Sequence, residues 1–228
     1  MLDARVRRAL APALDSVAGL PGMTRVSPLA LTAAGFVCGA AACLAIGADL
    51  PLVALALWLA NRAFDGLDGS VARRHGATEL GGFLDICSDF AVYAGFVVGV
   101  AVAHPSARVA CLFLLFAYYA SGTAFLALSS MLERRGAQPV DGRSLRFVGG
   151  LVEGTETVIA YCLFCLLPDH SRLIAWIFAV AVAITALQRV AIGARVLGRP
   201  APETADSAHA APAQPPQGGD REARDRAP

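Results

Sequence analysis

Six long apolar runs, at residues 27–47, 50–68, 82–103, 109–131, 151–167 and 173–193, occupy most of this 228-residue chain. A bilayer core of about 30 Å takes about 20 apolar residues per helix, so runs of this length read as membrane spans. The composition agrees. Hydrophobic residues make up 56% of the chain and charged residues 16%, where a soluble domain carries about 25% charged. The mean hydropathy is +0.57. The ionised side chains gather before the first run, in short connectors and after the last run. The predicted fold is all-α: a polytopic membrane protein of six transmembrane helices. A net charge of +1, with no basic patch interleaved with aromatics, gives nucleic acid binding no support.

Arginine sets the expected orientation, because basic residues concentrate in cytoplasmic connectors. Arg5, Arg7, Arg8 and Arg25 precede the first run, and Arg73 and Arg74 follow the second. Arg134, Arg135, Arg143 and Arg146 follow the fourth, and Arg195 and Arg199 follow the sixth, whereas the alternate connectors hold only Arg108 and Arg172. Both termini are therefore expected in the cytoplasm. Leu2, Val6, Leu10, Leu14 and Val17 recur at helical spacing, which predicts an amphipathic helix lying in the membrane interface. From about residue 200 the chain is rich in Ala, Pro, Asp and Arg without periodicity, which reads as a disordered tail. The expected division is a cytoplasmic interfacial helix at 1–26, a six-helix membrane catalytic domain at 27–195 and a cytoplasmic tail at 196–228.

The second and third runs carry acids that a bilayer does not tolerate unaided. Asp65 and Asp68 stand three apart, and Asp85 and Asp89 four apart, so each pair shares one helix face. The connector, read as 69–81, returns the chain to the same leaflet, so four carboxylates converge at one depth. Each ionised Asp in hydrocarbon costs at least about 2.5 kcal/mol, and crowded like charges repel as well. Either some are protonated or a cation neutralises them. Oxygen-only ligands favour Mg²⁺, Mn²⁺ or Ca²⁺; two divalent ions would balance four charges, and such a site suits phosphoryl chemistry. The bland alternative is that the carboxylates reach water and pair with Arg62, Arg73 and Arg74, which accounts for one or two of the four.

Asp65-x-x-Asp68-Gly69-x-x-Ala72-Arg73, followed by Gly81-x-x-x-Asp85-x-x-x-Asp89, resembles the signature of the CDP-alcohol phosphatidyltransferase family. Pro28-Leu29-Ala30-Leu31-Thr32 resembles the opening of that family's first helix, with Leu29 where Asn is usual. The resemblance implies transfer of a phosphatidyl or similar group from a CDP-linked lipid, such as CDP-diacylglycerol, to an alcohol acceptor, with release of CMP. It implies two Mg²⁺ or Mn²⁺ ions on Asp65, Asp68 and Asp85, with Asp89 near them and acting as general base. Gly69, Ala72, Arg73 and Gly81 would border the CDP moiety, as would Thr32 of the first-helix motif. Relatives tend to form homodimers; the resemblance allows a homodimer here, and the residues themselves leave it undecided. Ala60-Asn61-Arg62 and the segment Gly149 to Thr157 most resemble a bacterial inner-membrane branch of the family.

A second polar group, Arg143, Arg146, Glu153 and Glu156, surrounds the start of the fifth run. It reads two ways: as residues orienting the acceptor, or as acids at a helix N-terminus and arginines obeying the topology rule. The competing class is a cation carrier or channel, since intramembrane acids also mark ion paths. Such a path would spread acids through the membrane depth, whereas these cluster near one face.

Overall fold

The structure is a computed structural model that describes residues 2–23, 26–135, 151–152 and 154–198. Among the described residues it is all-helical. The helices are α1 (Leu2–Ala18), α2 (Pro28–Gly47), α3 (Pro51–His75), α4 (Glu79–Ala103), α5 (Arg108–Arg134), α6 (Gly154–Leu166) and α7 (Ser171–Leu197). Arg143, Arg146, Glu153 and the expected tail lie outside the described residues.

Local chemistry fixes the helix ends. Ser27 caps α2, its side chain accepting from the Ala30 amide at 3.2 Å, and Pro28 takes the first helical position, where its missing N–H costs nothing. Thr78 caps α4 in the same way, accepting from the Gly81 amide at 3.1 Å. α3 carries Arg73, Arg74 and His75 in its last turn, the charge that a helix C-terminus favours. It stops at Gly76, whose φ of 96° suits glycine. The connector between the two acidic helices is thus only residues 76–78, much shorter than the 69–81 expected from its glycines. Gly69 and Gly81 are both helical.

α2 packs against both α3 and α4, and the glycines explain how closely. A Cβ on Gly39 would meet Val92 Cγ2 at 2.6 Å, and one on Gly99 would meet the Cys43 carbonyl oxygen at 2.6 Å. Small residues let helix backbones approach in this way. Gly99→Ala is therefore expected to destabilise the fold by about 1–3 kcal/mol, the usual range for overpacking. A lowered thermal midpoint in detergent checks this. Gly22→Ala, with nothing within 4 Å of the added atom, should leave the midpoint unchanged.

The main core joins α2 through α7 around Trp58, Phe96, Tyr161 and Phe164, all fully buried. A smaller cluster of Ala18, Leu31, Leu67 and Val71 seats α1 on α2 and α3. Leu14 lies over Gly66, and Arg74 Nη2 donates to the Asp15 carbonyl at 2.6 Å. The outside of the bundle is apolar: Val37, Leu44, Leu112, Phe116 and Leu187 are each more than 60% exposed. Surface of that kind needs a nonaqueous cover.

Four helical stretches are long and apolar enough to cross a bilayer: Pro28–Gly47, Glu79–Ala103, Pro105–Arg134 and Pro168–Leu197. The other two expected spans fall short for different reasons. α3 is long, but its second half carries the charges of the candidate site. α6 is apolar but has 13 residues, about 20 Å at the helical rise and less than the hydrocarbon thickness.

Candidate active site

Asp65 and Asp68 lie eleven and eight positions before the Gly76 turn, and Asp85 and Asp89 seven and eleven after Thr78. Because α3 and α4 run back from one tight turn, these positions stand at matching heights, about 10–17 Å from it. One carboxylate oxygen from each of Asp65, Asp68 and Asp85 lies within 4.8 Å of the others. Asp68 is buried, while Asp65 and Asp85 are half-buried. All four aspartates line one pocket, whose α2 wall includes Thr32 and Gly35.

The neighbours of these acids are as ordered as the acids. Thr32 Oγ1 donates to Asp68 Oδ2 at 2.7 Å. Arg62 Nη2 donates to Asp89 Oδ1 at 2.7 Å, and its Nη1 lies 3.6 Å from Asp65 Oδ2. The same Nη1 donates to the Tyr93 hydroxyl at 2.9 Å, and that hydroxyl donates to Asp89 Oδ2 at 3.3 Å. Arg62 Nε donates to Asn61 Oδ1 at 2.8 Å, and the Asn61 amide donates to the Gly35 carbonyl at 2.8 Å.

Arg62 balances only one of the four acidic charges. Unit charges about 4 Å apart repel by about 4 kcal/mol at an effective dielectric of 20. The remaining excess at Asp65, Asp68 and Asp85 is relieved by a cation or by protons. These three supply only hard oxygen donors at short mutual range, a donor set that fits Mg²⁺ or Mn²⁺ rather than a soft metal.

The sequence-predicted residues separate into groups. Asp65, Asp68, Asp85, Asp89 and Thr32 come together, Thr32 by gripping a carboxylate. Gly69, Ala72, Arg73 and Gly81 lie outside the carboxylate pocket. Gly69 presents an open side, the nearest atom to an added Cβ being Arg73 Nη1 at 3.6 Å. Arg73 is exposed and donates to Ser70 Oγ at 2.8 Å and to Asp15 Oδ1 at 3.3 Å. Glu156 stands half-buried in the first turn of α6.

Sequence reasoning gave Arg62 only a charge-balancing role and passed over Asn61 and Tyr93 as site residues. Their signals were present: Arg62 stands three before Asp65, and Tyr93 four after Asp89, each on the acidic face of its helix.

Fold and pocket together define a membrane-embedded, all-helical protein with an oxygen-only acidic centre shared by two helices. The family model for CDP-alcohol phosphatidyltransferase matches residues 25–187, and the chain belongs to that family. It is 36% identical over 196 residues to Inner membrane protein YnjF of Escherichia coli (strain K12), covering 83% of this chain and 94% of that protein. In fold it is similar to Mycobacterium tuberculosis phosphatidylinositol phosphate synthase (PgsA1) with CDP-DAG bound. That match has a TM-score of 0.61 and 20% identity, covering 83% of this chain and 92% of the other. The same enzyme in complex with manganese and citrate matches with a TM-score of 0.59 and 21% identity, covering 83% and 87%.

Proposed function

We propose that this protein transfers a phosphatidyl group from a CDP-linked lipid such as CDP-diacylglycerol to an alcohol, releasing CMP. The observation that carries the reading is the convergence of Asp65, Asp68 and Asp85 within 4.8 Å, beside Asp89 in the same pocket. Membership of the family supports it, as do the CDP-DAG and manganese complexes of a protein of similar fold.

In this reading Asp65, Asp68 and Asp85, with Asp89 beside them, hold two Mg²⁺ or Mn²⁺ ions. When bound, the ions neutralise the pyrophosphate and the charge that develops as CMP departs. Asp89 takes the proton of the acceptor hydroxyl. The alcohol oxygen then bonds to the phosphorus that carries the lipid. The bond from that phosphorus to the bridging oxygen breaks, and its electron pair leaves with CMP. Gly69, Ala72, Arg73 and Gly81 border the cytidine side, and Arg143, Arg146, Glu153 and Glu156 serve the acceptor. Thr32 acts through Asp68. Groups that orient ligating carboxylates typically matter 10- to 100-fold, so Thr32→Val is expected to weaken Mn²⁺ binding by roughly tenfold. Titration of bound Mn²⁺ by electron paramagnetic resonance checks it.

The same reading sets the placement. All six hydrophobic runs cross a bacterial inner membrane, and both termini are cytoplasmic. The first 26 residues lie along the interface with Leu10, Val17 and Leu20 toward lipid; these side chains are more than 40% exposed. Residues 27–195 form the catalytic domain, and 196–228 form a cytoplasmic tail. α6 reaches across by local thinning of the bilayer and by its flanking residues.

The deciding assay uses the purified full chain with CDP-diacylglycerol, Mg²⁺ or Mn²⁺ and a panel of alcohols, followed by release of CMP. Metal-dependent CMP release with at least one alcohol is expected. Cation flux into proteoliposomes without CMP from any alcohol would instead favour the carrier.

A further inference from the structure

We propose that Arg62 is a positioning residue for this reaction: together with Tyr93 it holds the Asp89 carboxylate in one orientation toward the acceptor hydroxyl. The inference rests on the transferase reading. It stands on how completely Arg62 is committed within the protein. Its side chain is 13% exposed. Nε is held by Asn61 at 2.8 Å, Nη1 reaches the Tyr93 hydroxyl at 2.9 Å and lies 3.6 Å from Asp65 Oδ2, and Nη2 reaches Asp89 at 2.7 Å. The guanidinium also lies 4.7 Å from the Trp58 ring centroid and 5.3 Å from that of Tyr93. Asn61 in turn is tied to the α2 backbone at Gly35.

The consequence falls on Asp89. Oδ1 accepts from Arg62 and Oδ2 from Tyr93, so both oxygens are gripped by fixed donors. A carboxylate offers about four lone-pair sites. The two contacts leave capacity on each oxygen while preventing the group from turning, and a base held this way meets its proton in a constant geometry. Lysine cannot reproduce the arrangement, because an ammonium is a single point charge without the planar fork that links Asn61, Tyr93 and Asp89. A displacement of about 1 Å in a reacting group can cost about 10²-fold in rate.

The test compares Arg62→Lys, Arg62→Met, Asp89→Asn and each Arg62 variant combined with Asp89→Asn, all in the full chain. Each Arg62 variant alone is expected to lower kcat by roughly 10- to 100-fold. Both KM values should stay within about threefold, as for an interaction that acts on the chemical step. In the Asp89→Asn background neither variant should lower the residual rate further. An equal loss of kcat in that background would make Arg62 a general structural residue and overturn the proposal. A raised alcohol KM at unchanged kcat would make it an acceptor ligand, with the same result. Thermal midpoints of Arg62→Met, Asp89→Asn and their combination give a readout that needs no turnover. The combined variant should melt no lower than the worse single variant, whereas additive losses would show that the two side chains do not act through each other. A wild-type chain that releases no CMP defeats the transferase reading, and the thermal comparison still decides the Arg62–Asp89 contact.

Discussion

Asp89→Asn is expected to lower CMP release by about 10²- to 10⁴-fold, the contribution typical of a positioned general base. The substitution keeps the Arg62 contact and loses the Tyr93 one, because an amide nitrogen cannot accept from the Tyr93 hydroxyl that stands 3.3 Å from Asp89 Oδ2. An amide keeps the shape of the carboxylate, and its oxygen still accepts from Arg62 Nη2, which stands 2.7 Å from Asp89 Oδ1. What matters to the reaction is that an amide cannot take the acceptor's proton. An alcohol is a weak nucleophile until its proton has somewhere to go, so the loss belongs in kcat rather than in the KM for the CDP-linked lipid. Steady-state kinetics on protein with an unchanged elution profile measures it. CMP release at the wild-type rate would remove Asp89 from the role of base.

Removal of divalent cations should have an effect at least as large. Chelation by EDTA is expected to abolish CMP release, and Mg²⁺ or Mn²⁺ to restore it. Asp68→Ala should resist that rescue, because it deletes a buried member of the cluster and leaves the Thr32 hydroxyl with only the Pro28 carbonyl of its own helix. The reason is electrostatic. Three acids within 4.8 Å of one another cannot draw a pyrophosphate, itself about two charges negative, into the same place without positive charge between them. Arg62 is already engaged by Asp89 and Asp65. Turnover in the presence of EDTA, or full rescue of Asp68→Ala by added metal, would contradict this account of the cluster.

Four of the six expected spans were legible, because an apolar stretch of 20 residues such as α2 matches the thickness of a bilayer core. The acids were legible because spacings of three and four name a helix face without any knowledge of the partner helix. The end of α3 was not. Gly69 reads as a loop residue, since glycine costs about 1 kcal/mol in a helix, yet buried Val71 and the basic last turn carry the helix on to His75. The partners of Asp89 were hidden for another reason. Arg62 beside an acid looks like a counter-ion, and Tyr93 in an apolar run looks like packing. What joins them is the facing of α3 and α4 across α2, and nothing local in the sequence encodes that facing.

The turn at 76–78 works as a phasing device. One residue added or removed within the first turns of α4 would swing Asp85 and Asp89 by about 100° around the helix axis and shift them about 1.5 Å along it. They would then point away from Asp65 and Asp68. Chain length between Asp68 and Asp85 is therefore as much a part of the reacting geometry as the acids themselves.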